Sequence, residues 1–379
     1  MLEQYQQHCL KLESTGIYRQ LPDHDPVLLD KTLDFSSNDY LALSQHPCVL
    51  QAALDFGKRY GTGATGSRLL SGNHPIFTAL EARIAKDKHT QAALIFNSGF
   101  QANLTVLSSL LDARVLKQKP IVFFDRLNHA SLYQAVFLSQ AELVRYQHLN
   151  YDDLSKRLKQ YQLIQRPKFI VTETIFGMDG DIVSLDTILH LAREHSAFVY
   201  LDEAHALGII GKHGYGLSTT ITHDIPMVAL GTLSKGIGCS GAYIACDQTI
   251  KDYIINQAGG FMFSTAPSPM VIGAALKAWE LIATFDHERH QLFELAHQLR
   301  ERLQSSGFHN GSSLSHIIPI IIGQHEKLYS LNQKLIDRGI RVSLIRRPTV
   351  PPGGERLRIA LNIHHTPESV NYLIKTLNS

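Results

Sequence analysis

The sequence predicts an α/β protein: a mostly parallel central sheet with helices on both faces, plus a smaller C-terminal α+β domain. Two observations carry this. Between about residues 78 and 246, short runs that are apolar throughout alternate with helical patterns. Strands apolar on both sides belong to a parallel sheet covered on both faces. After residue 267 the alternation gives way to long helices and three further apolar runs. A chain of 379 residues is long enough for one large α/β domain with a smaller one appended.

Taken in order, residues 1–13 read as a helix, followed by loop and short strand through "LDFSSNDYLALS" (33–44). "HPCVLQAALDFGKRYG" (46–61) is a helix with Pro47 in its first turn and Gly61 at its end, the favoured places for those residues. Buried strands are predicted over 92–97, 121–125, 142–146, 168–173, 198–203, 227–232 and 242–246. "GFQANLTVLSSLLD", "HASLYQAVFLSQ", "YDDLSKRLKQYQ" and "LDTILHLAREH" supply helices between them. "AYIAC" (242–246) follows its neighbour after a short Gly-rich link, which suits an antiparallel strand. Helices at about 268–306 precede "HIIPIII", a helix at 325–338, "RVSLI", "RLRIAL" and a last helix from Thr366. The prolines of "STAPSPM" mark the expected boundary. The expected division is an N-terminal segment 1–45, a large domain 46–267 and a small domain 268–379.

The composition is that of an ordinary soluble protein, 44% apolar and 18% charged. A net charge of +2 gives no pull toward nucleic acid or acidic membranes. Cys9, Cys48, Cys239 and Cys246 lie far apart with no C-x-x-C pair. That argues against a zinc site or a disulfide framework and fits a reducing compartment. The N-terminus is polar, without an apolar signal region, and no run reaches a membrane span. The expectation is a cytoplasmic protein with no metal, nucleic-acid or membrane partner.

In open α/β sheets ligands bind beyond the carboxyl ends of the strands, so the residues after each strand are the informative ones. Ser98, Gly99 and Phe100 follow the first and open a helix, a setting of free N–H groups that suits a phosphate. His129 follows the second, "TIFGMDGD" the fourth, and Asp202, Glu203 and His205 the fifth. Lys235 follows the sixth, inside "GTLSKGIGCSG". Small residues around a lysine leave room for a bulky group close to the backbone. Singly these signals are bland. His129 alone reads as a loop residue, and "LDEAH" alone as a metal-ligand pair or a helix start. "GTGATG" (61–66) matches a dinucleotide fingerprint, but it follows a helix instead of a strand, which excludes that reading. Together they match what pyridoxal phosphate requires. A lysine amine forms a Schiff base with the aldehyde, and an aspartate pairs with the ring nitrogen and keeps it an electron sink.

The sequence resembles the α-oxoamine synthases of the fold-type I pyridoxal-phosphate transferases over nearly its whole length. The likeness runs through "FSSNDYLALS", "GTGATGSRLLSGNHPIFTALE", "FNSGFQANL", "DRLNHASL", "TETIFGMDGD", "LDEAHALGIIGKHGYG", "TLSKGIGCSG", "FSTAPSP" and "RRPTVPPGGERLRIAL". "RPTVPPGGERLRI" is most similar to members that condense L-alanine with a pimeloyl thioester in biotin synthesis, with loss of carbon dioxide. The resemblance implies a homodimer with shared active sites, and coenzyme A or acyl carrier protein as carrier. It leaves open the sister enzymes that use glycine: the two amino acids differ by one methyl group, a difference a pocket reads weakly.

The resemblance also implies roles. Lys235 would carry the cofactor and move the α-proton, Asp202 would face the ring nitrogen, and His205 the phenolic oxygen. His129 would stack on the ring. Gly99, Phe100 and Thr232, beside Ser98, would bind the phosphate, with Thr265 reaching it from a partner subunit. Arg358 would hold the amino acid's carboxylate, and Arg19, Asn38 and Thr349 would line the substrate and acyl path. Two positions depart from the family pattern: Gly177 stands where a serine is usual, and Arg347 where a proline is usual. The first removes a hydroxyl near the cofactor. The second adds a cation that could favour an acidic carrier but reads more simply as a solvated charge.

Overall fold

The computed structural model describes residues 1–21, 32–221 and 224–379. Its strands, in chain order, are β1 (Leu33–Asp34), β2 (Ala92–Phe96), β3 (Ile121–Asp125), β4 (Glu142–Tyr146), β5 (Lys168–Glu173), β6 (Phe198–Asp202), β7 (Met227–Thr232), β8 (Ala242–Cys246), β9 (Ile317–Ile321), β10 (Ile340–Arg341), β11 (Ser343–Ile345) and β12 (Arg356–Ala360). The chain forms two compact units. The larger comprises Asn38–Gly177 and Asp181–His290; the smaller comprises Met1–Ser37, Met178–Gly180 and Gln291–Ser379.

The larger unit is built on a seven-stranded sheet in the order β2-β8-β7-β6-β5-β3-β4. β8 runs antiparallel to both β2 and β7, and the pairings from β7 through β4 are parallel. Every residue of β2, β3, β7 and β8 is buried, as continuous apolar runs in a doubly covered sheet require. Successive side chains serve opposite faces. Val122 and Phe124 join the core under helix Gly99–Leu110, while Ile121 and Phe123 join the core under helix Leu185–Glu194. β4, at the edge, exposes Arg145.

The second proline of "STAPSPM" starts a helix. Pro269 occupies the first turn of helix Pro269–Ile282, where its missing N–H costs nothing. That helix buries Ile272, Ala275 and Trp279, lies against helices Pro47–Tyr60 and Pro75–Asp87, and belongs with the larger unit. Thus residues 268–290, expected in the small domain, fall on the other side of the division.

In the smaller unit β12 lies between β9 and β11, antiparallel to both. β1 pairs in parallel with β10, Leu33 opposite Ile340, and residues 1–37 of the expected N-terminal segment belong to this unit, while 38–45 belong to the larger one. Helices His325–Asp337 and Pro367–Asn378 accompany the sheet, the second closed by a capping box on Thr366. The N-terminal helix Leu2–Ser14 has no buried residue.

Candidate active site

Five strands of the large sheet end at one cluster of polar side chains. Beyond β2, Ser98 caps helix Gly99–Leu110, its Oγ accepting from the Gln101 N–H at 3.2 Å. The N–H groups of Gly99 and Phe100, in the first turn, have no acceptor within the helix. A Cβ at Gly99 would reach only Thr232, at 3.7 Å, so these N–H groups lie beside the last residue of β7. The Thr232 hydroxyl is 2.7 Å from the Ser234 hydroxyl.

Lys235, three residues past β7, places Nζ 3.0 Å from Nε2 of His205. The other ring nitrogen, Nδ1, is 2.6 Å from the Tyr40 hydroxyl, which in turn donates to Asn38 Oδ1 at 3.1 Å. The imidazole is thereby held at both nitrogens. Gly177 lies against the same ring: an added Cβ would come within 2.8 Å of Cδ2 and closer still to Nε2. His205 therefore fills the space a side chain at 177 would take.

Asp202, the last residue of β6, is 4% exposed. One carboxylate oxygen accepts from Asn103 Nδ2 at 2.6 Å and the other from the Ala204 N–H at 2.9 Å. Asn103 is fixed by the Tyr200 hydroxyl at 3.0 Å and also donates to Ser131 Oγ at 3.0 Å. Ser131 lies 2.7 Å from His129 Nδ1. His129 caps helix Ala130–Ser139, its side chain accepting from the Ser131 N–H. Burial pushes the His129 imidazole below its ordinary value, with Lys235 pushing the same way and Asp202 opposing. A neutral ring whose Nδ1 accepts carries its proton on Nε2.

Of the residues read from the sequence, the larger unit thus gathers Lys235, His205, Asp202, His129 and Asn38 through these contacts, and sets Ser98, Gly99, Phe100 and Thr232 at the helix terminus. The Phe100 ring stands edge-on to His129, centroids 6.3 Å apart. Thr265 forms a bridge with Ser67, and its carbonyl accepts from Asn97 Nδ2 at 2.9 Å. The smaller unit holds the rest. Arg19 donates to the Thr349 hydroxyl at 2.8 Å. Arg358, in the middle of β12, is 4% exposed and opposite Ser343 and Pro319. Arg347 pairs with Glu355 at 3.2 Å, so the extra cation has a carboxylate in its own loop. Sequence reading passed over Tyr40, Asn103, Ser131 and Glu173. All four lie inside the quoted motifs; Tyr40, Asn103 and Ser131 lie away from the strand ends, while Glu173 is itself the last residue of β5.

These residues fit pyridoxal phosphate. A buried carboxylate anchored on both oxygens, an amine and an imidazole in contact, and a glycine-lined helix terminus beside a threonine supply an acid partner, a carbonyl-reactive base and a phosphate cradle. Among the described residues no cluster could hold a metal ion, and no helix is long and apolar enough to cross a membrane. The four cysteines are free.

Residues 30–377 match the family model of aminotransferase class I and II. The chain is 40% identical to the 8-amino-7-oxononanoate synthase of Gluconacetobacter diazotrophicus over 347 residues, 91% of this chain and 87% of that one. Its fold is similar to the 8-amino-7-oxononanoate synthase of Francisella tularensis, with a TM-score of 0.78, 29% identity, and 92% and 97% of the two chains covered. It is also similar to a serine palmitoyltransferase variant from S. paucimobilis with a bound PLP–myriocin aldimine, with a TM-score of 0.85, 26% identity, and 92% and 86% covered. The chain belongs to the aminotransferase class I and II family, within its α-oxoamine synthases, which are fold-type I pyridoxal-phosphate enzymes.

Proposed function

We propose that this protein is an 8-amino-7-oxononanoate synthase: it joins L-alanine to a pimeloyl thioester and releases carbon dioxide and the carrier thiol. The observation that carries this reading is the contact of Lys235 with His205 beside the anchored Asp202, in a chain similar to named synthases over nearly its full length. Bound pyridoxal phosphate supplies an aldehyde for the amines and a cationic ring that draws electrons from the alanine α-carbon. The helix terminus at Gly99 and Phe100, with Thr232, takes its phosphate. Asp202 takes its ring nitrogen, His129 its ring face, and His205 its phenolic oxygen.

The chain's own groups then divide the work. Arg358 holds the alanine carboxylate by a bidentate pair. Lys235 Nζ takes the α-proton. The α-carbon bonds to the thioester carbonyl carbon, the carbon–sulfur bond breaks, and the sulfur leaves with its electron pair. Neutral His129 donates its Nε2 proton to polarise that carbonyl. The β-keto acid loses carbon dioxide, and Lys235 returns a proton to the same carbon. Asn38, Arg19 and Thr349 line the acyl path. The active unit is a homodimer in which Thr265 serves the partner's phosphate. Coenzyme A and acyl carrier protein are both candidate carriers, and Arg347, paired with Glu355, favours neither.

The test is thiol release by purified protein given pyridoxal phosphate, alanine and pimeloyl thioester on each carrier. Release with alanine that exceeds release with glycine supports the reading. Preference for glycine would move the protein to a sister activity, and no release on either carrier would refute the assignment.

A further inference from the structure

Glu173 is the buried acid at the site that the proposed chemistry leaves without a task. It ends β5 directly opposite Asp202, its register partner on the adjacent parallel strand β6. Side chains at one level of neighbouring strands point the same way, so two carboxyl groups, 6% and 4% exposed, stand side by side. Glu173 Oε1 accepts from the main-chain N–H of His129 at 2.6 Å. That N–H precedes helix Ala130–Ser139 and has no acceptor within the helix. The preceding residue is tied to the same strand, Asn128 Nδ2 donating to the Val171 carbonyl at 2.8 Å.

From these contacts, and on the reading of the site given above, we propose that Glu173 is a positioning residue: it fixes the backbone of His129 so that the imidazole keeps its place in the site. The carboxyl group acts as an acceptor and needs no charge for this. Burial, with the neighbouring Asp202 adding to it, pushes Glu173 well above the ordinary carboxyl range. A glutamine amide oxygen can therefore stand in for it, whereas a shorter or apolar side chain leaves the His129 N–H buried and unmet.

The experiment compares Glu173→Gln and Glu173→Ala, each with the native His129 and with His129→Ala, all loaded with pyridoxal phosphate. It reads kcat, KM and the circular dichroism of the cofactor's visible band. Glu173→Gln should keep the native band and kcat. Glu173→Ala should change the band and lower kcat about tenfold, the rate equivalent of one lost buried hydrogen bond, with little change in KM. In the His129→Ala background the same substitution should have no further effect, because residues acting through one another are not additive. Should the alanine variant fail to fold, Glu173→Leu fills the volume and removes the acceptor, with the same expectations. The proposal is overturned if Glu173→Ala, or Glu173→Leu in its stead, leaves band and kcat native, if Glu173→Gln loses as much, or if the loss persists in full without the imidazole. A native protein that acquires no visible band at all withdraws the reading of the site itself, before any variant is compared.

Discussion

One residue beyond Asp202 the chain buries a second acid, Glu203, and answers it with Lys88. Neither side chain is exposed. The Lys88 ammonium pairs with Glu203 Oε2 and donates to the Tyr215 carbonyl at 2.8 Å. Ser218 donates to the carboxylate through its N–H at 2.8 Å and its hydroxyl at 2.9 Å. Burial lowers the Lys88 ammonium's value and Glu203 opposes it. Removing one partner leaves an uncompensated buried charge, which costs about 3–5 kcal/mol. Lys88→Met should lose that much in urea unfolding, and Lys88→Met with Glu203→Leu should recover part of it. At this scale the sequence was legible where a residue ends a strand or lies in the loop that follows it, as Asp202, Lys235 and His129 do. It was not where the partner is set by tertiary register: Asn103 meets Asp202 across 99 positions, and nothing local to either marks the pair.

Among the elements, the turn from Ile175 to Ile182 is pinned by His148. Nδ1 lies 2.9 Å from Asp125 Oδ1 and Nε2 2.9 Å from Asp181 Oδ2, and the ring meets Phe176 edge-on at 4.4 Å. Burial alone would lower the imidazole, but the two carboxylates outweigh it and raise it from 6.5 to about 9. A value raised on folding stabilises the protein fully below 6.5 and loses that contribution as the pH rises to 9. The contribution is on the order of 3 kcal/mol. Urea unfolding at pH 6 and pH 9.5 should show the native protein losing about that much more than His148→Gln; equal losses would count against the bridge. Helix Pro269–Ile282 makes a second test. Glycine inside a helix is ordinarily about 1 kcal/mol worse than alanine. At Gly273, however, a Cβ would come 2.6 Å from Phe56 Cβ and closer to its ring. Gly273→Ala should therefore destabilise, by about 1–3 kcal/mol, and a raised melting temperature would contradict the close helix contact. The strands were legible because each is apolar throughout. The assignment of this helix was not, because a proline in the first turn of a helix and a proline in a linker look alike in sequence.

For the whole molecule, the proposed dimer makes a prediction of mass. Leu70 and Phe263 are 82% and 85% exposed, near the bridge of Ser67 with Thr265, and large exposed apolar side chains gathered near a site suit an interface. Sedimentation should give twice the 42.3 kDa chain; a monomer of full activity would remove Thr265 from the proposed phosphate site. The parallel sheet, its antiparallel β8 and the strand-end cluster follow from sequence pattern alone. The division of the chain does not, since Leu33 pairs with Ile340 across most of its length. Everything assigned to the site depends on Lys235 holding the cofactor. The most direct measurement is borohydride reduction of the pyridoxal-phosphate-loaded protein, followed by mass spectrometry of its peptides. One reduced pyridoxyl adduct is expected, on Lys235, with loss of the visible band; an unmodified Lys235, or an adduct on another lysine, would overturn the assignment.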